Sequence, residues 1–367
     1  MILKRFSAES FRNIKKCNIE FSPGVNLIHG RNAEGKTNAI EGIYLFSRGK
    51  SFRAKEEREL ISFGAEGFRI SVEYEDGGGI NTLEYSMFGR ERRRIKNGYK
   101  ISKVTEMIGS LRTVLFVPDD LWLVKMGPEE RRAFLNVAIS QCYPTYVKCY
   151  SDYKTALENR NAILKNASKG LYFDERELVC WSESMANYAA EIYLFRKEYI
   201  KKLEKYAISF MNDISDGRES LSFVYKCDIE ELSSIEDIRK AYREKLTSNL
   251  EREKIVGQSL YGVHRDDLEI YIGDKSARYY ASQGQQRSVV LSLKLAEGEV
   301  NREICGEYPI FLFDDVLSEL DGERRKYLLE GIGERQIIMT SCEADDMKDF
   351  ADNVIEVTGG SYVPSHR

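Results

Sequence analysis

The sequence predicts an α/β protein in which a mixed sheet surrounds one helix that follows a glycine-rich loop, with a helical arm inserted. Two observations predict this fold. A short apolar strand at residues 25–29 runs directly into the glycine loop and then into a segment with helical periodicity. Residues 128–214 contain helix formers and a single glycine, Gly170, which is typical of packed helices. We therefore expect three parts: an N-terminal half of the head at residues 1–135, an arm at 136–215 and a C-terminal half of the head at 216–367.

Composition excludes several classes of protein. The 367 residues are 42% apolar and 31% charged, which allows a sizeable core and excludes a disordered chain. No apolar run approaches the roughly 18 residues of a membrane span, and the basic start has no apolar signal region, so we expect a cytoplasmic protein without a membrane partner. Seven cysteines without a CxxC pair indicate reduced thiols. Because the net charge is -4, nucleic-acid binding would need a local basic face.

Hydrophobic alternation and turn residues locate the elements of the N-terminal half. Strands are predicted at residues 2–11, 17–21, 25–29, 68–74, 81–87 and 114–117, and a helix at 38–46. Asn97-Gly98 indicates a further hairpin after the fifth strand.

The pattern becomes helical at Pro128, which suits the first turn of a helix. The following 80 or so residues predict an antiparallel helix pair with additional helices. Later elements are strands at residues 221–227, 268–272 and 310–313 and helices at 235–253 and 288–303.

The glycine loop matches the pattern G-x-x-x-x-G-K-[ST] of phosphate-binding loops. It comprises Gly30, Arg31, Asn32, Ala33, Glu34, Gly35, Lys36 and Thr37, and Asn38 continues it into the helix. The glycines let successive backbone N–H groups wrap the phosphates of ATP at a helix N-terminus. Lys36 would contact the β and γ phosphates, and Thr37 would ligate magnesium. The alternative is a glycine turn that only caps a helix.

Asp314 and Asp315 close the apolar strand at residues 310–313, as expected for a central strand that ends at a nucleotide site. One carboxylate can support magnesium, and the other can orient or deprotonate the attacking water. Taken alone, the same pattern also fits a strand followed by a helix cap.

Ser282-Gln283-Gly284-Gln285-Gln286-Arg287 precedes an amphipathic helix. A serine and a glycine at a helix N-terminus can offer backbone N–H groups to an anion, although an ordinary serine cap has the same sequence pattern. The order of glycine loop, this segment, the aspartate pair and Ser318-Glu319-Leu320-Asp321 is that of ABC-class ATPases, which sandwich ATP between two subunits.

Basic residues crowd around one hairpin, with Glu91 as the opposing acid. They are Arg90, Arg92, Arg93, Arg94, Lys96, Lys100 and Lys103. Such a cluster can neutralise phosphates of a DNA backbone, and Arg92, Arg93, Arg94 and Lys96 are the candidate contacts. A solvated surface hairpin is the alternative.

In this order, the motifs resemble those of the RecF family, bacterial recombination-repair ATPases related to the heads of SMC proteins. The resemblance extends over nearly the whole chain. Further segments that carry it are Phe11-Arg12-Asn13, Ser51-Phe52-Arg53, Pro128, Arg131-Arg132, Phe134-Leu135, Ser140-Gln141, Arg160-Asn161, Gly262 and His264-Arg265-Asp266-Asp267. Val263 and Asn136 replace the usual Pro and Asp of the family, and we expect the local geometry to tolerate both.

The resemblance implies an ABC-type ATPase head with a helical arm, which dimerises with ATP and separates after slow hydrolysis. It implies binding of duplex DNA near single-stranded gaps during recombinational repair and replication restart, with RecR and RecO as partners and RecA as the recombinase that is loaded. By the same resemblance, Asp314 supports magnesium and Asp315 positions water. Ser282, Gly284 and Gln285 would face the γ phosphate held by the other subunit, and Arg53 would approach phosphate.

Three other functions fit parts of the pattern. An ATPase subunit of a transporter shares the sandwiched site, but the helical arm argues against it. A P-loop kinase would be monomeric and would not need the segment at residues 282–287. A structural clamp would bind ATP and DNA yet barely hydrolyse ATP. Val117-Pro118-Asp119 lacks the glutamine of other ABC ATPases, and Thr340-Ser341 replaces their switch histidine, which predicts slow turnover.

Overall fold

Two six-stranded sheets enclose the helix that follows the glycine loop in the computed structural model, which describes residues 1–317, 320–331, 333–342 and 348–364. The strands are β1 (Ile2–Phe11), β2 (Ile14–Glu20), β3 (Val25–His29), β4 (Gly67–Asp76), β5 (Gly79–Phe88), β6 (Glu91–Lys96), β7 (Tyr99–Ile101), β8 (Thr113–Phe116), β9 (Leu221–Lys226), β10 (Asp267–Ile272), β11 (Lys275–Ser276), β12 (Ile310–Phe313), β13 (Ile337–Ser341), β14 (Asn353–Thr358) and β15 (Ser361–Pro364). The helices are α1 (Lys36–Arg48), α2 (Trp122–Lys125), α3 (Pro128–Cys142), α4 (Pro144–Ser168), α5 (Glu175–Ser215), α6 (Ile235–Ser248), α7 (Leu250–Val256), α8 (Ala277–Tyr280), α9 (Gln283–Cys305) and α10 (Gly322–Glu330).

The central sheet has the strand order β15-β14-β3-β13-β12-β8. Its pairs are parallel except for the antiparallel pair of β14 and β15. Every residue of β8 and β12 is buried, as expected for strands covered on both faces. Because β3, β12 and β13 are parallel neighbours, their carboxyl ends meet at one edge, where the glycine loop and the aspartate pair begin.

Helix α1 lies between the central sheet and an antiparallel sheet of order β2-β1-β4-β5-β6-β7. Ile40 and Ile43 of α1 share one core with Phe6 of the antiparallel sheet and Leu312 of the central sheet. The opposite face of the central sheet packs against α9 and α10. These layers position the start of α1 at the edge where the parallel strands end.

The helices after Pro128 form a third core together with β9 and β10. Helix α5 packs against α4, α6 and α9. Two buried ion pairs join these elements: Arg196 Nη1 lies 2.8 Å from Asp266 Oδ2, and Arg160 Nη2 lies 2.7 Å from Glu253 Oε2. Buried charges of this kind are retained only when they are paired. Arg160 and Asp266, two residues that carry the family resemblance, therefore act in packing.

The two departures from the family pattern are accommodated in the same core. Asn136 Oδ1 accepts hydrogen bonds from Tyr146 Oη at 2.6 Å and from Arg196 Nη2 at 3.0 Å. Val263 is fully buried, and its carbonyl accepts a hydrogen bond from Arg196 Nη1 at 2.6 Å. Both residues thus take part in the packing of Arg196.

The α/β class and the strand–loop–helix order are confirmed, and some boundaries differ. The helix predicted at residues 235–253 is two helices, because the Asn249 side chain donates a hydrogen bond to the Lys245 carbonyl, 2.9 Å away, and ends the first. The second strand begins at Ile14, directly after a tight turn in which Arg12 has a φ of 55°. The division into residues 1–135, 136–215 and 216–367 stays a proposal. Within the described ranges, no helix combines the length and apolar character that crossing a membrane requires.

Candidate nucleotide-binding site

The backbone of the glycine loop requires glycine at two positions. A Cβ atom on Gly30 would lie 2.4 Å from the carbonyl oxygen of Val357 on β14, closer than any side chain can approach. Gly35 has a φ of 116°, which L-residues with a side chain rarely adopt. No side chain of the described residues caps the first turn of α1, so its N–H groups remain suited to an anion. The loop therefore has the geometry of a phosphate cradle.

Lys36 holds its ammonium group at the mouth of this loop. The residue is buried, and its Nζ donates hydrogen bonds to the carbonyls of Gly30 at 2.8 Å and Arg31 at 3.1 Å. Cys342 Sγ lies 3.2 Å from the same nitrogen. The loop is also braced from β15, because Tyr362 Oη donates a hydrogen bond to the Gly35 carbonyl at 2.7 Å.

Thr37 and Asp314 meet at the carboxyl end of β12. Thr37 Oγ1 donates a hydrogen bond to Asp314 Oδ1 at 2.8 Å, and Thr340 Oγ1 lies 3.0 Å from the same oxygen. Burial raises the pKa of Asp314, and hydrogen bonds from both hydroxyls act in the opposite direction. A hydroxyl next to a carboxylate is a pair of hard oxygen donors of the kind that magnesium prefers. The donor set thus fits the magnesium ion predicted at these two residues.

Asp315 adopts a left-handed backbone with a φ of 53°. Its N–H donates a hydrogen bond to Thr340 Oγ1 at 2.9 Å, so one threonine contacts both aspartates. Thr340 occupies the segment in which other ABC ATPases have a histidine. Its role in fixing the aspartate pair was not visible in the sequence, since threonine is common at the end of a buried strand.

A cavity of about 770 Å³ adjoins Thr37 and Asp314. Arg53, which the family resemblance places near phosphate, also lines it, and its Nη1 donates a hydrogen bond to Asn38 Oδ1 at 3.2 Å. The cavity therefore brings together three of the residues predicted to act on nucleotide.

Buried charges on α9 also line this cavity and were missed by sequence reasoning. Lys294 Nζ donates to the Leu115 carbonyl at 2.7 Å and pairs with Asp120 Oδ1 at 3.0 Å. Burial raises the pKa of Glu297 to about 7, while the charge of Lys294 opposes this shift. The signal in the sequence that could have identified these residues is a lysine and a glutamate among the apolar residues of one helix.

A second missed residue, Glu41, explains two of the family-like segments. Its carboxylate is buried on α1 and accepts hydrogen bonds from Arg12 Nε at 2.9 Å and Arg12 Nη2 at 2.7 Å. Ser51 Oγ donates to the same carboxylate. Asn13 completes this brace, because its side chain contacts the Ala33 carbonyl of the loop at 3.1 Å. These segments thus support the glycine loop from behind.

The segment at residues 282–287 lies elsewhere on the surface. Ser282 caps α9: its hydroxyl accepts a hydrogen bond from the Gln285 N–H at 3.2 Å, and its own N–H donates to Gln285 Oε1 at 2.8 Å. Ser282 is exposed, and of the described residues that line the cavity none belongs to this segment. Within one chain, the structure therefore does not bring Ser282, Gly284 and Gln285 together with Thr37 and Asp314.

The tetrapeptide Ser318-Glu319-Leu320-Asp321 is described only in its second half, since residues 318 and 319 lie outside the described residues. Asp321 caps α10 by accepting a hydrogen bond from the Arg324 N–H at 3.0 Å.

The basic hairpin divides its side chains between the two faces of β6, because successive residues of a strand point in opposite directions. Arg92 and Arg94 both pair with Glu57, and the Arg94 guanidinium lies 4.7 Å from the centroid of the Tyr85 ring. Lys96 Nζ donates to Ser110 Oγ at 2.8 Å. Arg93 is exposed on the other face. Three of the four candidate DNA contacts therefore already have partners within the chain.

Comparisons with known proteins identify the family of the chain. Residues 2–361 match the model of the RecF/RecN/SMC N terminal domain family. The DNA replication and repair protein RecF of Clostridioides difficile is 37% identical over 360 residues, covering 97% of this chain and 96% of its own. The corresponding protein of Ruminiclostridium cellulolyticum is also 37% identical, with 98% and 99% covered.

Solved structures give the same result. The recombination mediator protein RecF, solved as RecF-ATPrS in the RecFOR pathway, superposes with a TM-score of 0.93 at 33% identity, covering 99% of this chain and 98% of its own. An Smc head domain from Pyrococcus furiosus, with a TM-score of 0.58 and 19% identity over 99% and 96% of the two chains, shows the shared fold alone. The predicted ABC-type ATPase head is thereby confirmed, and the chain belongs to the RecF family.

Proposed function

We propose that this chain is an ATPase of DNA replication and repair that binds DNA as an ATP-dependent dimer and hydrolyses ATP slowly. The observation that carries the proposal is the contact of Thr37 with Asp314 beside the buried ammonium of Lys36. A lysine, a hydroxyl and a carboxylate around an uncapped helix N-terminus form a constellation suited to a nucleoside triphosphate and its metal ion. RecF has been solved with ATP, which supports the same ligand here.

Each residue of the site has a separate role in this proposal. Residues 30–38 hold the phosphates through backbone N–H groups, and Lys36 neutralises charge on the β and γ phosphates. Thr37 and Asp314 would hold magnesium, which supplies charge neutralisation for the leaving phosphates. Asp315 orients the attacking water, and its backbone is fixed for this by Thr340.

A second copy of the chain completes the site. Ser282 is exposed, Gly284 and Gln285 are half-buried, and none of the three lines the cavity of its own chain. A helix N-terminus favours an anion, so the γ phosphate bound by another copy is a fitting ligand. ATP would then hold two chains together, and hydrolysis would release them.

The proposed ligand is duplex DNA near single-stranded gaps, bound in the cytoplasm. RecR and RecO are the proposed partners, and loading of RecA is the proposed outcome. Support comes from relatives named as DNA replication and repair proteins and from a RecF structure assigned to the RecFOR pathway. Of the four candidate DNA contacts, Arg93 lies on the face of β6 opposite to Arg92 and Arg94, and it is exposed there. When the dimer closes, a groove between the two heads would bind DNA together with this local positive charge.

Light scattering on the full chain tests the proposal, with and without ATP, magnesium and a gapped duplex. We expect a monomer that becomes a dimer only with ATP and retains DNA only in that state. Ser282→Arg should abolish the dimer, whereas Ser234→Arg, at the exposed cap of α6, should leave it unchanged. A monomer under all conditions would contradict the proposal and favour a kinase-like enzyme.

A further inference from the structure

Two cysteines meet where helices α3 and α9 end. Cys142 is the last residue of α3, Cys305 is the last residue of α9, and the two helices pack against each other. The Cys142 thiol donates a hydrogen bond to Cys305. Asn301 lies one helical turn before Cys305 on the same face of α9, and its Nδ2 donates a hydrogen bond to Cys142 Sγ at 3.5 Å. We call Cys142 and Cys305 the thiol pair.

The surroundings of the thiol pair favour a thiolate at Cys305. The hydrogen bond from Cys142 and the positive charge of Arg112 lower the pKa of Cys305, although its partial burial and the charge of Glu307 act in the opposite direction. Burial instead raises the pKa of Cys17 to about 12, as is usual for an inert thiol in a core. Because the thiolate is the nucleophilic form of cysteine, Cys305 is suited to react and Cys142 is suited to follow it.

Both members of the thiol pair are half-buried, so a small oxidant can reach them from solvent. An accessible cysteine of low pKa beside a second thiol is the usual arrangement of a redox sensor. Two cysteines with a purely structural role would instead both stay protonated and unreactive. A disulfide formed inside a reducing cell is as a rule transient, which agrees with the two thiols being free in this structure.

We propose that the thiol pair is a reversible oxidation site, at which a hydroperoxide joins Cys142 to Cys305 by a disulfide bond and a thiol reductant separates them again. The Cys305 thiolate attacks one peroxide oxygen, the O–O bond breaks, and hydroxide leaves a sulfenic acid on Cys305. The Cys142 sulfur then attacks the Cys305 sulfur, the S–O bond breaks, and the hydroxyl group leaves with the Cys142 proton as water. The two sulfurs together lose two electrons, and the peroxide gains them.

A disulfide at this position would fix the end of α9 against α3. Helix α9 starts directly after Ser282 and contributes Lys294 and Glu297 to the wall of the cavity, so the bond holds the same helix at its opposite end. It also closes the long loop between residues 142 and 305 in the unfolded chain, and the oxidised protein should therefore unfold at a higher temperature than the reduced protein. The inference does not depend on the proposed function, because neither nucleotide nor DNA takes part.

Peroxide oxidation of the full chain, followed by mass spectrometry, tests this inference. The reduced protein is freed of reductant, exposed to hydrogen peroxide, alkylated and digested without reduction. We expect two peptides joined through Cys142 and Cys305, a single-chain band in denaturing electrophoresis without reductant, and the return of both thiols with dithiothreitol. At pH 7, Cys305 should react at least tenfold faster than the exposed Cys180 of α5, because exposure alone does not produce a thiolate.

Two variants separate the roles of the two thiols. Cys142→Ser should leave a sulfenic acid on Cys305 that a 1,3-diketone reagent traps, whereas in Cys305→Ser the Cys142 thiol should stay reduced. The matched control Cys180→Ser should form the disulfide at the wild-type rate. The inference is wrong if peroxide oxidises Cys180 of the wild type while the thiol pair stays reduced, or if Cys142 and Cys305 each pair with other cysteines. Since these two results come from the wild type, they decide the question even if a variant fails to fold.

Discussion

Replacing Lys36 by methionine removes the ammonium group and keeps the length and the buried apolar stem of the side chain. In the structure its Nζ contacts two loop carbonyls at 2.8 and 3.1 Å, so the charge is held where phosphate would enter. A hydrogen bond to a charged group contributes about 1.5–3 kcal/mol. Loss of one such bond to phosphate should therefore weaken ATP binding by about 10- to 150-fold. Titration with a fluorescent ATP analogue at constant magnesium measures this change.

The matched control is Lys50→Met, which removes an exposed lysine just beyond the end of α1. The affinity of Lys50→Met for the ATP analogue should equal that of the wild type. Lys36→Met should still fold, with an unfolding midpoint only a few degrees lower, because the lost bonds to loop carbonyls are few. An affinity of Lys36→Met within threefold of the Lys50→Met value would refute the assignment of Lys36 to phosphate.

Three further changes test other parts of the structure. Glu41→Gln should lower the free energy of unfolding by about 3 kcal/mol in urea denaturation, since Arg12 loses a buried ionic partner; a loss below about 1 kcal/mol would contradict the brace. Burial raises the pKa of Glu297 to about 7, so between pH 5 and 7 the folded protein keeps this proton while the unfolded chain loses it. The free energy of unfolding therefore falls as pH rises through that range. Glu297→Gln should therefore gain up to about 3 kcal/mol over the wild type across that range, and parallel stability curves would exclude this. Arg93→Ala should reduce the salt dependence of DNA binding by about one phosphate, whereas Arg94→Ala should mainly lower the melting temperature; the reverse pattern would reassign the two faces of β6.

Local backbone requirements made the glycine loop predictable from sequence. Gly30 and Gly35 are specified by the space and the dihedral angle at their own positions, and a strand and a helix flank them. Asp314 was predicted from its position at the end of a fully apolar strand, and the glycine loop upstream favoured a nucleotide site over a strand followed by a helix cap.

Contacts between distant segments could not be predicted. Arg12 and Glu41 are 29 residues apart, and Lys294 contacts a carbonyl 179 residues away. The sequence shows each charge but not its partner, because the partner is set by how the layers pack. The partners of the basic hairpin could not be predicted for a related reason: the sequence shows its charges in a row, whereas the alternation of β6 separates Arg93 from Arg92 and Arg94.

The sharing of one nucleotide site by two chains is tested most directly by mixing two inactive variants. Lys36→Met lacks the phosphate contact but keeps the segment at residues 282–287, and Ser282→Arg has the opposite defect. In an equal mixture, half of the random encounters between two chains are mixed, and a mixed dimer contains one intact site out of two, whereas the homodimer of Ser282→Arg does not form. We expect each variant alone to be inactive and the mixture to recover up to about a quarter of wild-type ATP hydrolysis. No recovery from two folded variants, or full activity of Ser282→Arg alone, would contradict a site built from two chains.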